Sequence, residues 1–259
     1  MIEGDRSVKA DRQLAILAIL QRDRTAEVAR LSAELGASKV TVRRDLLQLE
    51  RQGLVRTTRG GALLNQGATY EPDYLVKIGQ EREEKERIAR AAVAMTEPGD
   101  TILLDAGTTT AAIAHALIGL KGVTVISNSL TVANALTRHR GTHFIMIGGV
   151  FRDLSQAFVG PQAEDSLRNI RVDRAFVATE AIDAERGLQV PDDRDASIKR
   201  AMLQCGRQIV VVADHTKFGL QRLYTFAPWS AVHHLITGHE APSAALDAVR
   251  QHGVAVTVV

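Results

Sequence analysis

Ser38-Lys39-Val40-Thr41-Val42-Arg43-Arg44-Asp45-Leu46 sets apolar side chains at helical spacing with basic and hydroxyl-bearing ones between them. That is the pattern of a helix with one buried and one exposed face. Ser38 predicts its N-cap, and Val42, Leu46 and Leu49 its buried stripe. Lys39, Thr41, Arg43, Arg44 and Gln48 then face outward. Upstream, Leu14, Leu17 and Leu20 predict a first helix. Val28, Leu31 and Leu35 predict a second, capped by Thr25 and ended by a left-handed turn at Gly36. Three helices in this order describe a helix-turn-helix whose last helix enters the DNA major groove by its N-terminal end.

The exposed face suits that task. Arg and Gln reach base edges with paired hydrogen bonds, while Ser, Thr and Lys hold phosphates. The third helix is expected to end at Gly53, and residues 54–63 read as a hairpin. Leu54, Val55 and Leu63 would pack, and Arg56 and Arg59 would project from a glycine-tipped wing toward the DNA backbone. Charge follows the same division. Residues 1–64 carry twelve Lys/Arg against eight Asp/Glu, net +4, whereas the remainder carries twenty against twenty-two, net −2. The positive charge sits where phosphate would lie.

The spacing from Arg12 to Leu46, its Thr41-to-Leu46 core and the wing Arg59-Gly60-Gly61-Ala62 resemble the DNA-binding signature of the DeoR family of bacterial transcriptional regulators. The resemblance implies double-stranded operator DNA as a partner. Paired operator half-sites further imply a homodimer or homotetramer.

Composition excludes other classes. With 259 residues and 45% hydrophobic content, the chain can bury more than one core. The sequence holds no run near ~18 uninterrupted apolar residues, so no membrane span is expected. The N-terminus is polar and lacks an apolar signal core, and Cys205 is the single cysteine; both fit a reducing cytoplasm. Cys205 reads as a packing thiol. His139 with His143, and His233 beside His234, do not form a metal constellation. No metal, cofactor or catalytic set is expected.

The domains are therefore read as a winged helix-turn-helix over residues 1–64, a linker over 65–80 and an α/β domain over 81–259. Glu81 to Met95 predicts a helix with a charged outer face. Beyond it, short apolar strands at 101–105, 123–127, 144–148, 175–179, 209–213, 234–237 and 254–259 alternate with helical segments. This alternation predicts a Rossmann-like, largely parallel sheet, with ligands at the carboxyl ends of its strands. Four such ends are polar. Asp105-Ala106-Gly107-Thr108-Thr109-Thr110 passes through glycine into a helix start that suits a phosphate. Ser127-Asn128 and Gly148-Gly149, with Arg152 beyond, are equally ordinary turn residues or sugar-binding ones. Lys217 adds a cation beyond the fifth strand.

These segments, with Lys85-Glu86-Arg87-Ile88-Ala89 and Lys217-Phe218-Gly219, also resemble the DeoR family, in its C-terminal sensor. That sensor is similar in fold to ribose-5-phosphate isomerase, and the resemblance implies a phosphorylated sugar or related metabolite as effector. The effector-site expectation comprises Asp105, Gly107, Thr108, Thr109, Thr110, Ser127, Asn128, Gly148, Gly149, Arg152, Glu180 and Lys217. One departure stands in Ala178-Thr179-Glu180-Ala181, where the family commonly has glycine at both alanine positions. Glu180 either recharges the pocket or turns away to pair with an arginine. The expected function is a sequence-specific transcriptional regulator, a repressor of carbohydrate metabolism by resemblance. The alternative is an aldose–ketose sugar-phosphate isomerase with a DNA-binding appendage, using a carboxylate base such as Asp105, Glu180, Asp183 or Asp214.

Overall fold

Apolar stripes at helical spacing need a partner surface, and the first sixty residues supply it to one another. The computed structural model describes residues 2–23, 25–51, 54–64, 67–137 and 141–259. The chain divides into two compact units, Met1–Pro72 and Asp73–Val259. In the first, helices α1 (Ile2–Asp23), α2 (Val28–Glu34) and α3 (Lys39–Arg51) accompany strands β1 (Thr25–Glu27), β2 (Val55–Thr57) and β3 (Gly61–Leu64). The strands form an antiparallel sheet in the order β1-β3-β2. Ile16, Leu17 and Leu20 of α1 meet Val28, Leu31, Val42, Leu46 and Leu49 in the core.

Three local expectations are corrected. Leu14 is 39% exposed, because the buried ridge of α1 runs through Ile16 instead. Thr25 caps no helix: it opens β1 opposite Leu63, and α2 begins after Glu27 without a side-chain cap. Leu63 itself is only half-buried, while Leu54 and Val55 pack as expected. Gly36 does take a left-handed φ of +61°, and Ser38 Oγ does accept the Thr41 amide at 3.1 Å. The expected helix end at Gly53, the linker residues Asn65 and Gln66, and His139 lie outside the described residues.

Two polar ties fix α3. Arg12 Nε donates to Asp45 Oδ2 at 2.5 Å, and Asp45 is 1% exposed. Glu50 Oε1 accepts the Thr57 amide at 2.6 Å, joining the helix to the wing. That backbone bond and the Thr57 hydroxyl hold the Glu50 carboxyl below its ordinary pKa.

In the second unit the seven strands read from sequence form one parallel sheet. Its elements follow in order: α4 (Tyr74–Ile78), α5 (Arg82–Ala94), β4 (Thr101–Leu104), α6 (Thr108–Ala116), β5 (Thr124–Ser127), α7 (Leu130–Leu136) and β6 (His143–Met146). Then come β7 (Val150–Arg152), β8 (Ala157–Val159), α8 (Pro161–Leu167), β9 (Val172–Ala178), β10 (Ala181–Asp183), β11 (Gly187–Val190) and α9 (Asp193–Cys205). β12 (Gly206–Val212), β13 (Tyr224–Ala227), β14 (His234–Thr237), α10 (Ser243–Gln251) and β15 (Ala255–Val258) complete it. The order across the main sheet is β15-β14-β12-β9-β4-β5-β6, and the order reverses between β4 and β9.

Side chains alternate across a strand, and here the alternation sorts two cores. Ile102, Leu104, Phe176, Val210, Val212 and Ile236 pack with α5, α6 and α7. Leu103, Ala175, Val177, Ile209, Val211 and Leu235 pack with α8, α9 and α10 on the other face. The hairpin β7–β8 and the small sheet β10-β11-β13 were not anticipated. Nor was α4, which occupies the stretch expected as linker. Asp73 caps it by accepting the Leu75 amide at 2.8 Å, and residues 73–80 belong to the second unit.

Arg12→Ala would strand the Asp45 carboxylate in the first unit's core. It is expected to destabilise that unit by about 3 kcal/mol, as measured by urea unfolding followed through the amides of α3.

Candidate functional site

The recognition surface follows from the ties on α3. Lys39, Arg43, Arg44, Arg56 and Arg59 are exposed, and Thr41 and Gln48 are half-buried. None of the five basic side chains enters an ion pair among the described residues. Ser38 Oγ and Thr41 Oγ1 lie 2.8 Å apart, so the cap already engages both hydroxyls. Val40, which the sequence reading assigned to neither face, stands 67% exposed beside them.

The second site is the crevice where strand order reverses. In open parallel sheets this is where loops diverge and ligands enter. Asp105, fully buried, follows β4, and its amide bonds Phe176 O at 3.1 Å across the switch. Asp105 Oδ2 accepts the Ala178 amide at 3.0 Å and pairs with Lys199 Nζ. Lys199 also donates to Ala178 O at 3.1 Å and stands 5.6 Å from the Phe226 ring centre. Burial would depress the Lys199 pKa, but Asp105 and Asp195 carry it above its ordinary value. Sequence reasoning missed Lys199, which lies mid-helix and 94 residues from its partner.

The β9 turn adds a second charged group. Lys77 Nζ of α4 meets Glu180 Oε1 at 2.6 Å, and Lys217 Nζ lies 4.0 Å from Glu180 Oε2. Burial alone would raise the Glu180 pKa; Lys77, Lys217 and Arg222 outweigh it and bring the group down to about 2. Glu180 thus pairs with lysines rather than with the arginine alternative. Alongside, Lys85 Nζ donates to the carbonyls of Lys77 and Gln80 at 2.8 and 2.6 Å. Burial, only partly offset by Asp214, lowers its pKa to about 8. Helix α4 therefore spans the crevice: its first amide bonds Leu154 O at 3.0 Å, beyond β7, and its Lys77 grips Glu180.

The other expected residues divide. Thr108 is half-buried at the mouth of α6, and Thr109 is buried. Thr110 is fully buried and donates to Gly107 O at 3.0 Å, so it serves its own helix start. Ser127 Oγ is likewise turned inward, accepting the Ser129 amide at 3.0 Å. Asn128 donates to Phe158 O at 2.9 Å, and its buried Oδ1 has no hydrogen-bond partner among the described residues. Gly148 is exposed. Gly149 is needed for packing: a Cβ there would stand 2.7 Å from Val159 O. Arg152 reaches Asp192, the cap of α9, at 3.3 Å. A Cβ at Gly107 would stand 3.2 Å from that of Ala178, so the alanine departure does narrow the cradle.

Glu81, Glu84 and His215 bring three ligand atoms within 4.8 Å of one another. Glu84 is committed elsewhere: it accepts the His215 and Gly238 amides at 2.8 and 3.1 Å and meets His215 Nδ1 at 2.7 Å. That makes it a clamp on the loops after β12 and β14.

Comparison with known proteins matches both regions of the chain to one family. The DeoR-like helix-turn-helix domain matches residues 12–67, and the DeoR C-terminal sensor domain matches residues 80–239. The chain belongs to the DeoR family. A transcriptional repressor assigned to the aga operon of Escherichia coli O157:H7 is 35% identical over 96% of this chain and 94% of its own length. The transcriptional repressor AccR of Agrobacterium fabrum is 36% identical over 80% of this chain and 81% of its own. The glycerol-3-phosphate regulon repressor of Escherichia coli K12 is 29% identical over 95% and 97%. This DeoR-family chain is thus a DNA-binding transcriptional regulator rather than an isomerase. Ribose 5-phosphate isomerase A of Methanocaldococcus jannaschii superposes on 52% of the chain and 53% of its own, with a TM-score of 0.38 and 18% identity. So loose a match leaves the ligand to be read from the chain itself. Among the described residues no helix is long and apolar enough to cross a membrane.

A depressed carboxyl pKa contributes stability above the ordinary carboxylate range and loses it as pH falls through the folded value. Between pH 4.5 and about 2 the wild type is therefore expected to lose stability that Glu180→Gln does not, as read by thermal unfolding across that window.

Proposed function

We propose that this regulator is a repressor of a carbohydrate-use operon, released from its operator by a phosphorylated sugar bound in the crevice between β4 and β9. The observation that carries the reading is the meeting of Lys77 and Lys217 at Glu180, just beyond β9, with Lys85 lining one cavity together with Thr108 at the start of α6. Cations and free helix amides together suit a phosphomonoester. The naming of a relative for glycerol 3-phosphate supports the same ligand class.

On the DNA side, Lys39, Arg43, Arg44 and Gln48 are the base and phosphate contacts, and Arg56 and Arg59 grip the backbone from the wing. Ser38 and Thr41 keep the helix start in shape for that contact. Val40 fits a thymine methyl. Two copies reading paired half-sites make the protein at least a dimer, working in the cytoplasm beside the DNA. The sensor residues are Gly107, Thr108, Thr109, Asn128, Gly148, Lys77 and Lys217, with Asp105 and Lys199 holding the crevice open. A coupling of about 1–3 kcal/mol between the sites changes operator affinity roughly 5–150-fold.

Arg43→Ala and Arg44→Ala are each expected to weaken operator binding by about 1–3 kcal/mol. Wild-type affinity and base preference in both, by electrophoretic shift, would remove α3 as the reader. Lys217→Ala is expected to blunt the response to sugar phosphates at least tenfold while leaving ligand-free operator binding intact. A panel of sugar phosphates and their unphosphorylated counterparts, scored by melting temperature, tests the ligand class. Stabilisation by an unphosphorylated sugar alone would overturn it.

A further inference from the structure

Glu84 is a buried acid whose one ion-pair partner among the described residues is a histidine. Its side chain, in the first turn of α5, is 2% exposed and faces His215. Oε1 accepts the backbone amides of His215 and Gly238, and Oε2 meets His215 Nδ1 at 2.7 Å. A Cβ on Gly238 would stand 2.3 Å from Glu84 Oε1, so the carboxylate reaches that backbone only past a glycine. Facing a carboxylate, Nδ1 keeps its proton in both charge states of the ring. One side chain of α5 thus gathers the loops after β12 and β14.

The loop after β12 is the one that carries Lys217. His215 opens the 3-10 turn His215–Lys217, which Asp214 caps by accepting the Thr216 amide at 3.1 Å. The Lys217 amide bonds Asp214 O at 3.2 Å, and the Phe218 amide bonds His215 O at 3.2 Å. Phe218 in turn bridges Ile182 of β10. The turn therefore has three anchors. The cap and the bridge stay in place whatever the charge on His215, whereas the Glu84 contact changes with it. Lys217 Nζ, two residues beyond the clamp, stands 4.0 Å from Glu180 Oε2.

We propose that Glu84 and His215 are positioning residues for Lys217, and that their ion pair makes the hold on its turn pH-dependent, firm while His215 is protonated and looser once it is neutral. The charged groups around the pair come from four places. Glu84 faces His215 from α5, Glu81 from the residue before α5, and Asp214 from the loop itself. Lys217 and Lys85 bear on Asp214, the latter at 4.0 Å. Glu240, beside Gly238, pairs with Arg87 at 2.6 Å and lies 3.5 Å from His239 Nε2. Burial would lower the His215 pKa, but Glu84, Glu81 and Asp214 carry it above its ordinary value. A base held above its ordinary value adds stability below that value, and the contribution is lost as pH rises through the folded one. Burial also raises Glu84, against the pull of His215, so the fully charged pair exists between the two raised values. The neutral ring still donates from Nδ1, so the contact weakens without breaking. This rests on reading Lys217 as a sensor residue and gives that sensor a dependence on pH.

Full-length protein without ligand is titrated from about pH 6.5 to about 9.5. NMR of the His215 ring is expected to place its wild-type pKa above 6.5 and to bring it down in Glu84→Gln. Over the same range, hydrogen-exchange protection of the Lys217 and Phe218 amides, corrected for intrinsic rates, is expected to fall about threefold or more in wild type. His215→Gln, which donates to Glu84 but does not titrate, is expected to show a flat profile. A wild-type ring that titrates at or below 6.5 overturns the proposal, as do equal profiles in wild type and His215→Gln. Should a variant fail to fold, wild type alone decides: protection that falls with the titration of His215 supports the clamp, and protection that stays flat through it overturns the clamp. The sensor reading fails separately. A pH-dependent turn in a protein whose operator binding no sugar phosphate alters would keep the clamp and discard the sensor role of Lys217.

Discussion

The buried pair between Asp105 and Lys199 holds the second unit's crevice in shape. It ties the end of β4 to the end of β9 and to the middle of α9, at the point where the sheet reverses its strand order. Two buried charges cost more in desolvation than their attraction returns unless further hydrogen bonds satisfy them. Here the Ala106 and Ala178 amides complete the carboxylate, and Ala178 O and the Phe226 face complete the ammonium. The consequence is a rigid floor on which Gly107, Thr108 and the Glu180 turn are displayed.

The two units solve their charge problems in opposite ways. In the first, acids are drawn inward and satisfied: Asp45 by Arg12, Glu50 by Thr57. That leaves the outer face of α3 and the wing to basic side chains with no ion pair among the described residues, which polyanionic DNA can meet. In the second, cations are drawn inward to meet carboxylates: Lys77 and Lys217 at Glu180, Lys85 at Asp214, and Lys199 at Asp105.

Much of this was legible in the residues. All seven strands of the main sheet were read from short apolar runs, since buried parallel strands carry few polar interruptions. Val42, Leu46 and Leu49 gave the inner face of α3, and Ser38 its cap, because helical spacing and capping are local. The misses were tertiary. Leu14 has the right spacing but the wrong azimuth once α1 settles on its neighbours. Thr25 looks like a cap until β1 pairs with β3. Ser127 and Thr110 look like ligand groups until their hydroxyls are spent on their own turns.

Sequence alone determined the winged helix-turn-helix and the parallel sheet, because periodicity, caps and spacing are written within a few turns of chain; the family followed from the resemblance of its motifs. Tertiary structure alone decided the charge partners. Lys77 with Glu180 and Lys199 with Asp105 join residues 103 and 94 positions apart. Such pairs leave no periodic mark, since a lysine in a helix reads as solvated until folding encloses it. The same holds for α4: five residues are too few to announce a helix, and contacts with Leu154 and Glu180 are what turn an expected linker into part of the second unit.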